Sequence, residues 1–292
     1  MQQSILAGQR ILVTGGAGFI GSHIADELVA LGAGKIVVVD NMVRGRVGNL
    51  TKALQSGKVE LVHGDVRDKD LMRRLVTGCD TVFHQAALRI THCAAEPDEA
   101  MGVMVDATYA LLRLCVELNV RKVVMASSAS IYGLADRFPT TENAPPYDNR
   151  TLYGAAKSFG EGLLRSFNDM YGLDYVALRY FNVYGPRMDL HGRYTEVMVR
   201  WMERLEKGLP PIVFGDGLQT MDMIHVHDIA RANILAAEAE RAVNPVPRRL
   251  ASGAAAAADL GFRPTLPFDE GIADLVAWWR AETAAAALEA RS

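Results

Sequence analysis

A phenol and an ammonium four positions apart are the first residues able to do chemistry. In Tyr153-Gly154-Ala155-Ala156-Lys157 they stand at i and i+4, which places both on one face of a helix. An ordinary tyrosine, with a pKa of about 10, is a poor base at neutral pH. A neighbouring ammonium, joined by a second positive charge on a bound group, favours the phenolate and turns the residue into a general base. Upstream, Ser127 and Ser128 end an apolar run that begins at Lys122. Strand C-termini are where open α/β sheets place their ligands, although capping and turn formation are the ordinary uses of such serines.

A second constellation lies near the start of the chain. Ile11-Leu12-Val13-Thr14-Gly15-Gly16-Ala17-Gly18-Phe19-Ile20-Gly21 is a strand passing through glycines into a helix, with the spacing Gly15-x-x-Gly18-x-x-Gly21. One glycine serves the tight turn, another lets backbone approach a pyrophosphate, and the third permits close packing of helix on strand. The N–H groups of Phe19, Ile20 and Gly21 open the helix and suit an anion. About twenty residues on, Asp40 ends the next strand-like run, where a carboxylate accepts the ribose hydroxyls of NAD and repels a 2′-phosphate. Asn41 follows it. Arg44 and Arg46 are the alternative, an NADP-binding pair, against a solvated loop. Asp65 and Val66 lie after the third strand, where adenine would rest, and the small Ala86 and Ala87 after the fourth leave room for the cofactor to pass.

These residues need a sheet to hold them. Strand-like runs at Ile11–Thr14, Lys35–Asp40, Val59–His63, Thr81–His84, Lys122–Ser127 and Tyr175–Arg179 alternate with helical stretches at Ser22–Leu31, Lys69–Thr77, Val103–Leu118 and from Thr151 onward. That alternation predicts a parallel α/β sheet of Rossmann type, doubly wound, with helices on both faces. After Arg187 the pattern breaks into an amphipathic helix at Tyr194–Lys207, strands at Ile212–Phe214 and Ile224–Val226, a helix at Asp228–Glu238 and an Ala-rich helix at Leu275–Leu288. We expect a cofactor domain of residues 1–180 plus about 212–238, and a smaller discontinuous C-terminal substrate-binding domain of about 181–211 plus 239–292.

The chain has 292 residues, 50% of them apolar, 22% charged, with a net charge of −3. This excludes a disordered chain and argues against a nucleic-acid footprint. The three cysteines (Cys79, Cys93, Cys115) have no metal-ligand spacing and read as reduced thiols. No segment resembles a signal peptide, and no apolar stretch approaches the ~20 residues that span a bilayer. The expected compartment is the cytoplasm, with no membrane partner. His225 and His227 share a strand face without a third ligand of matching spacing, so no metal is expected.

Glycine loop, strand-end Asp40, strand-end Ser128 and Tyr153-x-x-x-Lys157 in this order resemble the extended short-chain dehydrogenase/reductase family, of the NAD-dependent nucleotide-sugar epimerase/dehydratase type. Arg179-Tyr180-Phe181-Asn182-Val183-Tyr184-Gly185-Pro186-Arg187 is similar to a substrate-side signature of that group. The resemblance implies that Tyr153 is the base, that Lys157 holds the nicotinamide ribose and tunes Tyr153, and that Ser128 hydrogen-bonds the reacting sugar hydroxyl. It also implies that Asn182 and Arg241 hold the substrate diphosphate, that Arg249 gates the sugar pocket, and that two copies pair through helices around Val103–Leu118 and Leu152–Tyr171. Arg89 and His92 are placed to read a polar or anionic sugar substituent, with a surface ion pair as the ordinary role of Arg89.

Within that family, dehydratases use an Asp-Glu pair where this chain has Ala129-Ser130, and neither residue is a general acid or base. The implied activity is NAD-dependent 4-epimerisation of a UDP-hexose, through a transient 4-keto sugar and hydride return to the opposite face. Another nucleotide-sugar dehydratase, reductase or 3,5-epimerase, and a non-catalytic NAD-binding sensor, are the alternatives. The chain departs from the pattern at Met221, where a diphosphate-side arginine is usual, and at Met104, where many relatives have Asn. After Glu238 it is shorter than the resemblance implies by roughly forty to fifty residues, about one strand–loop–helix unit.

Overall fold

The computed structural model describes residues 4–134, 138, 140–142, 144–146, 148–189, 197–218 and 220–239. All of them fall in one compact unit that runs to Ala242. The first half alternates strictly: β1 (Arg10–Thr14), α1 (Phe19–Ala30), β2 (Lys35–Asp40), a 3-10 turn at Val47–Leu50 leading into α2 (Thr51–Gln55), β3 (Val59–His63), α3 (Lys69–Val76) and β4 (Thr81–His84). Then come α4 (Ile90–Ala95), α5 (Pro97–Met101), a π-helical turn at Gly102–Asp106, α6 (Ala107–Glu117), β5 (Lys122–Ser128) and a 3-10 turn at Ala129–Tyr132. The remaining elements are α7 (Leu152–Tyr171), β6 (Asp174–Tyr180), β7 (Asn182–Tyr184), α8 (Val197–Glu206), β8 (Met223–His225) and α9 (Val226–Glu238).

Six parallel strands form one sheet in the order β3-β2-β1-β4-β5-β6. The order reverses between β1 and β4, and open parallel sheets take ligands at the strand C-termini of such a switch point. Strand alternation divides the core. Ile11, Val13, Ile36 and Val38 face a cluster with Ile24 and Leu28 of α1 and Ile234 of α9, while Leu12, Val37 and Val39 face Leu112 of α6 and Leu164 and Phe167 of α7. Burial on both faces is why these strands read as unbroken apolar runs.

Helix ends follow local chemistry. Asp68 caps α3 by accepting from Leu71 N–H, and Thr151 caps α7 by accepting from Gly154 N–H. Gly172, at φ 72°, ends α7 in the left-handed conformation. At the other edge of the molecule the wholly buried Lys122 donates to the carbonyl of Ala239 at 2.5 Å and pairs with Asp174 at 3.1 Å, closing the C-terminal end of α9 onto the sheet.

The doubly wound sheet matches the expectation. The predicted helix over 103–118 instead begins with a π-helical turn, so its first residues are displaced by one step from α-helical register. Ile212–Phe214 is a correction. It has strand-like residues but no ladder partner among the described residues, and its side chains are exposed. The carbonyl of Ile212 accepts from Trp201 Nε1 instead. The predicted helix at 275–288 lies outside the described residues. No described helix is long and apolar enough to cross a membrane.

Candidate active site

The glycine loop is built for close approach. Gly15 has φ 65°, and a Cβ there would lie 2.8 Å from both Cα and N of Ala86, just past the end of β4. A Cβ on Gly21 would lie 2.5 Å from the carbonyl oxygen of Gly15. Gly18, at the N-cap of α1, brings no side chain to its first turn, so the N–H groups of Phe19, Ile20 and Gly21 face a space shaped by backbone. That cradle fits a pyrophosphate.

Beside it, the buried Asp40 carboxylate accepts from the N–H of Ala17 at 3.0 Å and of Met42 at 2.9 Å. Both oxygens keep a further lone pair for ribose hydroxyls. Asp65 is gripped by Arg67 through Nε at 2.9 Å and Nη2 at 2.7 Å, which holds its carboxyl below the usual range, and Asn41 Nδ2 approaches it at 3.5 Å. Val66 packs half-buried against the core. Arg44 pairs with Asp189 at 3.3 Å, and Arg89 approaches the same carboxylate at 4.0 Å. His92 pairs with Glu99 at 2.8 Å, across the α4–α5 corner, and so is engaged away from Arg89.

Where β5 ends, the chemistry-bearing side chains come together. The phenol of Tyr153 is buried and drawn upward in pKa by that burial, with the Ser128 hydroxyl pulling it partly back. The depression expected from a neighbouring ammonium is not the direction found in the protein by itself, where desolvation is the largest influence on this phenol. The Lys157 ammonium sits 5.7 Å from the Tyr153 ring centroid. It donates to the carbonyl of Ala126 at 2.6 Å, and burial lowers its pKa to about 8. Two of its three N–H bonds remain for other acceptors. Ser128 donates to Ser130 Oγ at 3.2 Å and accepts from Ser130 N–H at 3.1 Å, a turn that starts the 3-10 segment.

Ser127 is turned the other way. Its hydroxyl donates to Glu161 at 2.6 Å, and Glu161 also receives Arg179 through Nε at 2.9 Å and Nη2 at 2.8 Å. Burial raises the Glu161 pKa, but these hydrogen bonds and the Arg179 charge hold it below its ordinary value. Glu161 continues the face carrying Tyr153 and Lys157 at the same four-residue step, a signal that was open to sequence reasoning and went unused.

Two further networks escaped the sequence reading. His84 is buried, with Nδ1 2.8 Å from Thr14 Oγ1 and Nε2 3.1 Å from Thr108 Oγ1. Thr108 donates onward to Met104 O and Thr14 accepts from Ala86 N–H, which fixes the proton of His84 on Nε2. Desolvation, with the Lys157 charge behind it, lowers the His84 pKa to about 3. Met104 Sδ accepts from Leu88 N–H at 3.3 Å. Tyr180, Gln85 and Asn233 close a second ring of hydrogen bonds joining β4 and β6 to α9. Lone threonines and a lone histidine carry no spacing pattern.

Asn182 lies in the two-stranded ladder of β7 with β8, exposed, its side chain donating to the carbonyl of Asp222 at 3.1 Å. Arg241 and Arg249 lie outside the described residues. His23, His227 and His225 form a file with ring centroids 4.9 and 5.0 Å apart. Among the described residues no group of three His, Cys, Asp or Glu side chains is arranged to hold a metal ion. A cavity of about 480 Å³ opens along β6, lined by Tyr132, Phe181 and the Glu161–Arg179 pair.

Comparison with known proteins gives these features a common origin. A putative UDP-glucose 4-epimerase of Methanocaldococcus jannaschii is 37% identical over 229 residues, covering 77% of this chain and 72% of the relative. A dTDP-glucose 4,6-dehydratase of Actinoplanes sp. is 31% identical over 323 residues, covering 93% of this chain and 98% of the relative. That alignment leaves about fifty positions of the relative opposite no residue of this chain. Among solved structures, a UDP-N-acetylglucosamine 4-epimerase from Methanobrevibacter ruminantium, in complex with UDP-N-acetylmuramic acid, superposes with a TM-score of 0.76 at 37% identity, covering 80% of this chain and 74% of that one. The UDP-glucose 4-epimerase of Thermus thermophilus, in complex with NAD, gives 0.70 at 36% identity, covering 80% and 75%. Residues 11–247 match the profile of one family throughout. With its glycine cradle, its strand-end Asp40 and the Tyr153–Lys157 pair at the end of β5, the chain belongs to the NAD dependent epimerase/dehydratase family and is an NAD-dependent enzyme.

Proposed function

We propose that the chain is a 4-epimerase of a UDP-hexose. The observation that carries this reading is the turn after Ser128. Ala129 and Ser130 occupy it, Ser130 meets Ser128 through its N–H and its Oγ, and no carboxylate stands there to eliminate water. The names of the similar 4-epimerases support the sugar class.

Bound NAD supplies the hydride acceptor and, once reduced, the hydride donor. Tyr153 takes the proton of the sugar 4-hydroxyl, with Ser128 bridging the two oxygens. Lys157, anchored by Ala126 O, offers its remaining N–H bonds to the nicotinamide ribose, and its charge favours the phenolate against the upward push of burial. Gly15, Gly18, Phe19, Ile20 and Gly21 hold the pyrophosphate, Asp40 and Asn41 the adenosine ribose, Asp65 and Val66 the adenine, and Ala86, Ala87 and Ser127 flank the nicotinamide half. Arg89, Asn182, Arg241 and Arg249 serve the nucleotide sugar. Residues 1–180 plus about 212–238 form the cofactor domain, and 181–211 plus 239–292 the substrate domain. The enzyme works in the cytoplasm as a homodimer.

Incubation with UDP-glucose, UDP-GlcNAc and UDP-glucuronate, with products separated by chromatography, tests the reading. An isomeric product without net NADH is expected. A 4-keto-6-deoxy product would replace epimerisation by dehydration.

A further inference from the structure

Both oxygens of the Asp40 carboxylate are already held by backbone, Oδ2 by Ala17 N–H and Oδ1 by Met42 N–H. The residues that follow fold back over the glycine loop. Arg46 N–H and Asn49 Nδ2 both donate to the carbonyl of Ala17, at 3.0 and 2.9 Å. Ala17 is thereby gripped at its N–H by Asp40 and at its carbonyl by the returning loop. The fold-back lays Gly45 directly on the Asp40 carboxylate. A Cβ on Gly45 would stand 2.5 Å from Oδ1, 2.7 Å from Cγ and 2.8 Å from Oδ2. Those distances lie well inside van der Waals contact.

Neither partner can yield freely. Moving the carboxylate breaks its two backbone hydrogen bonds. Moving the loop strains Met42, already at φ 61°, and pulls on the two bonds to Ala17 O. We infer that Gly45 is a specificity-determining residue for the cofactor: lacking a side chain, it lets the loop close on Asp40 and holds that carboxylate where it accepts the ribose hydroxyls of NAD and refuses a 2′-phosphate. Arg44, a neighbour whose charge suits a 2′-phosphate, is drawn away from that role. The Arg44 guanidinium pairs instead with Asp189 at 3.3 Å.

The test is equilibrium binding of NAD and of NADP, by calorimetry, to the full chain stripped of nucleotide. Gly45→Ala should weaken NAD about thirty-fold and leave NADP nearly unchanged, so that the preference for NAD falls by a similar factor. Gly48→Ala, where a Cβ would meet nothing within 4 Å, should change neither. Asp40→Ser removes the obstructing carboxylate, so adding Gly45→Ala in that background should alter binding and melting temperature by less than about twofold and 1 °C respectively. This last comparison reads the contact even if Gly45→Ala alone folds poorly. Wild-type NAD affinity and preference in Gly45→Ala would overturn the assignment. So would equal loss of both cofactors, or an effect of Gly45→Ala undiminished by Asp40→Ser.

Discussion

The sheet from Arg10 to Tyr180 and the segments from Asn182 to His225 are organised in opposite ways. In β1, β2, β4 and β5 nearly every side chain is buried, and polar ones among them have assigned partners: Thr14 and His84 each other, Ser127 Glu161, Lys122 the Ala239 carbonyl. In the later segments β7 and β8 have three residues each, α8 buries only Val199, and Phe214 and Leu218 are 81% and 79% exposed. The sheet therefore draws its geometry from burial on two faces, which leaves each side chain one direction to point. The later segments have few such constraints among the described residues. Where packing is strict, as in the sheet that carries the glycine cradle and Asp40, side-chain positions are over-determined; where it is loose they are not.

The largest break of that comparison is Tyr153→Phe. It keeps the half-buried ring in place and removes the proposed proton acceptor, so turnover should fall about a thousandfold while NAD remains bound. Assays of product alongside bound nucleotide check both halves, and retained turnover would remove Tyr153 from the mechanism. Next comes the core behind it. Leu112 is fully buried between α6 and the sheet, and Leu112→Ala should cost about 2–5 kcal/mol in denaturant unfolding.

His84 sharpens the comparison through pH. Its folded pKa of about 3 lies below the ordinary 6.5, so between these values the unfolded chain binds a proton that the folded protein does not. Stability from this group is present above pH 6.5 and is lost as pH falls, by up to ~1.4 kcal/mol per pH unit. His84→Gln should flatten that part of the stability–pH curve whatever its baseline stability, and an unchanged slope would show the charge to be tolerated. The smallest effect belongs to the other region. Leu218→Ser should leave unfolding within about 0.5 kcal/mol of wild type, and a larger loss would mean that this surface is covered.

The strands, the glycine loop, Asp40 and the Tyr153–Lys157 face were legible because each is written in local spacing, two residues for a strand and four for a helix. Asp68 and Thr151 likewise announce helix starts in their own neighbourhoods. Ile212–Phe214 misled because strand propensity describes residues, whereas a strand needs a neighbour with which to share hydrogen bonds. The His84 chain joins positions 14, 84 and 108, and the Tyr180 ring joins 85, 180 and 233, so no window of sequence contains either. Gly45 falls between these cases: the sequence marks a glycine, and only the folded loop shows the carboxylate it must admit.

By itself the sequence determined the parallel α/β sheet, the cradle for a dinucleotide and the pairing of a phenol with an ammonium, because these follow from periodicities within a few residues of each other. Only the tertiary structure decided that Ser127 turns to Glu161 while Ser128 turns to Tyr153, that burial raises the phenol, and that Asp40 is clamped beneath Gly45. Those outcomes depend on which surfaces are excluded from water and which chain segments meet across the sheet, and that is settled only when the strands have packed.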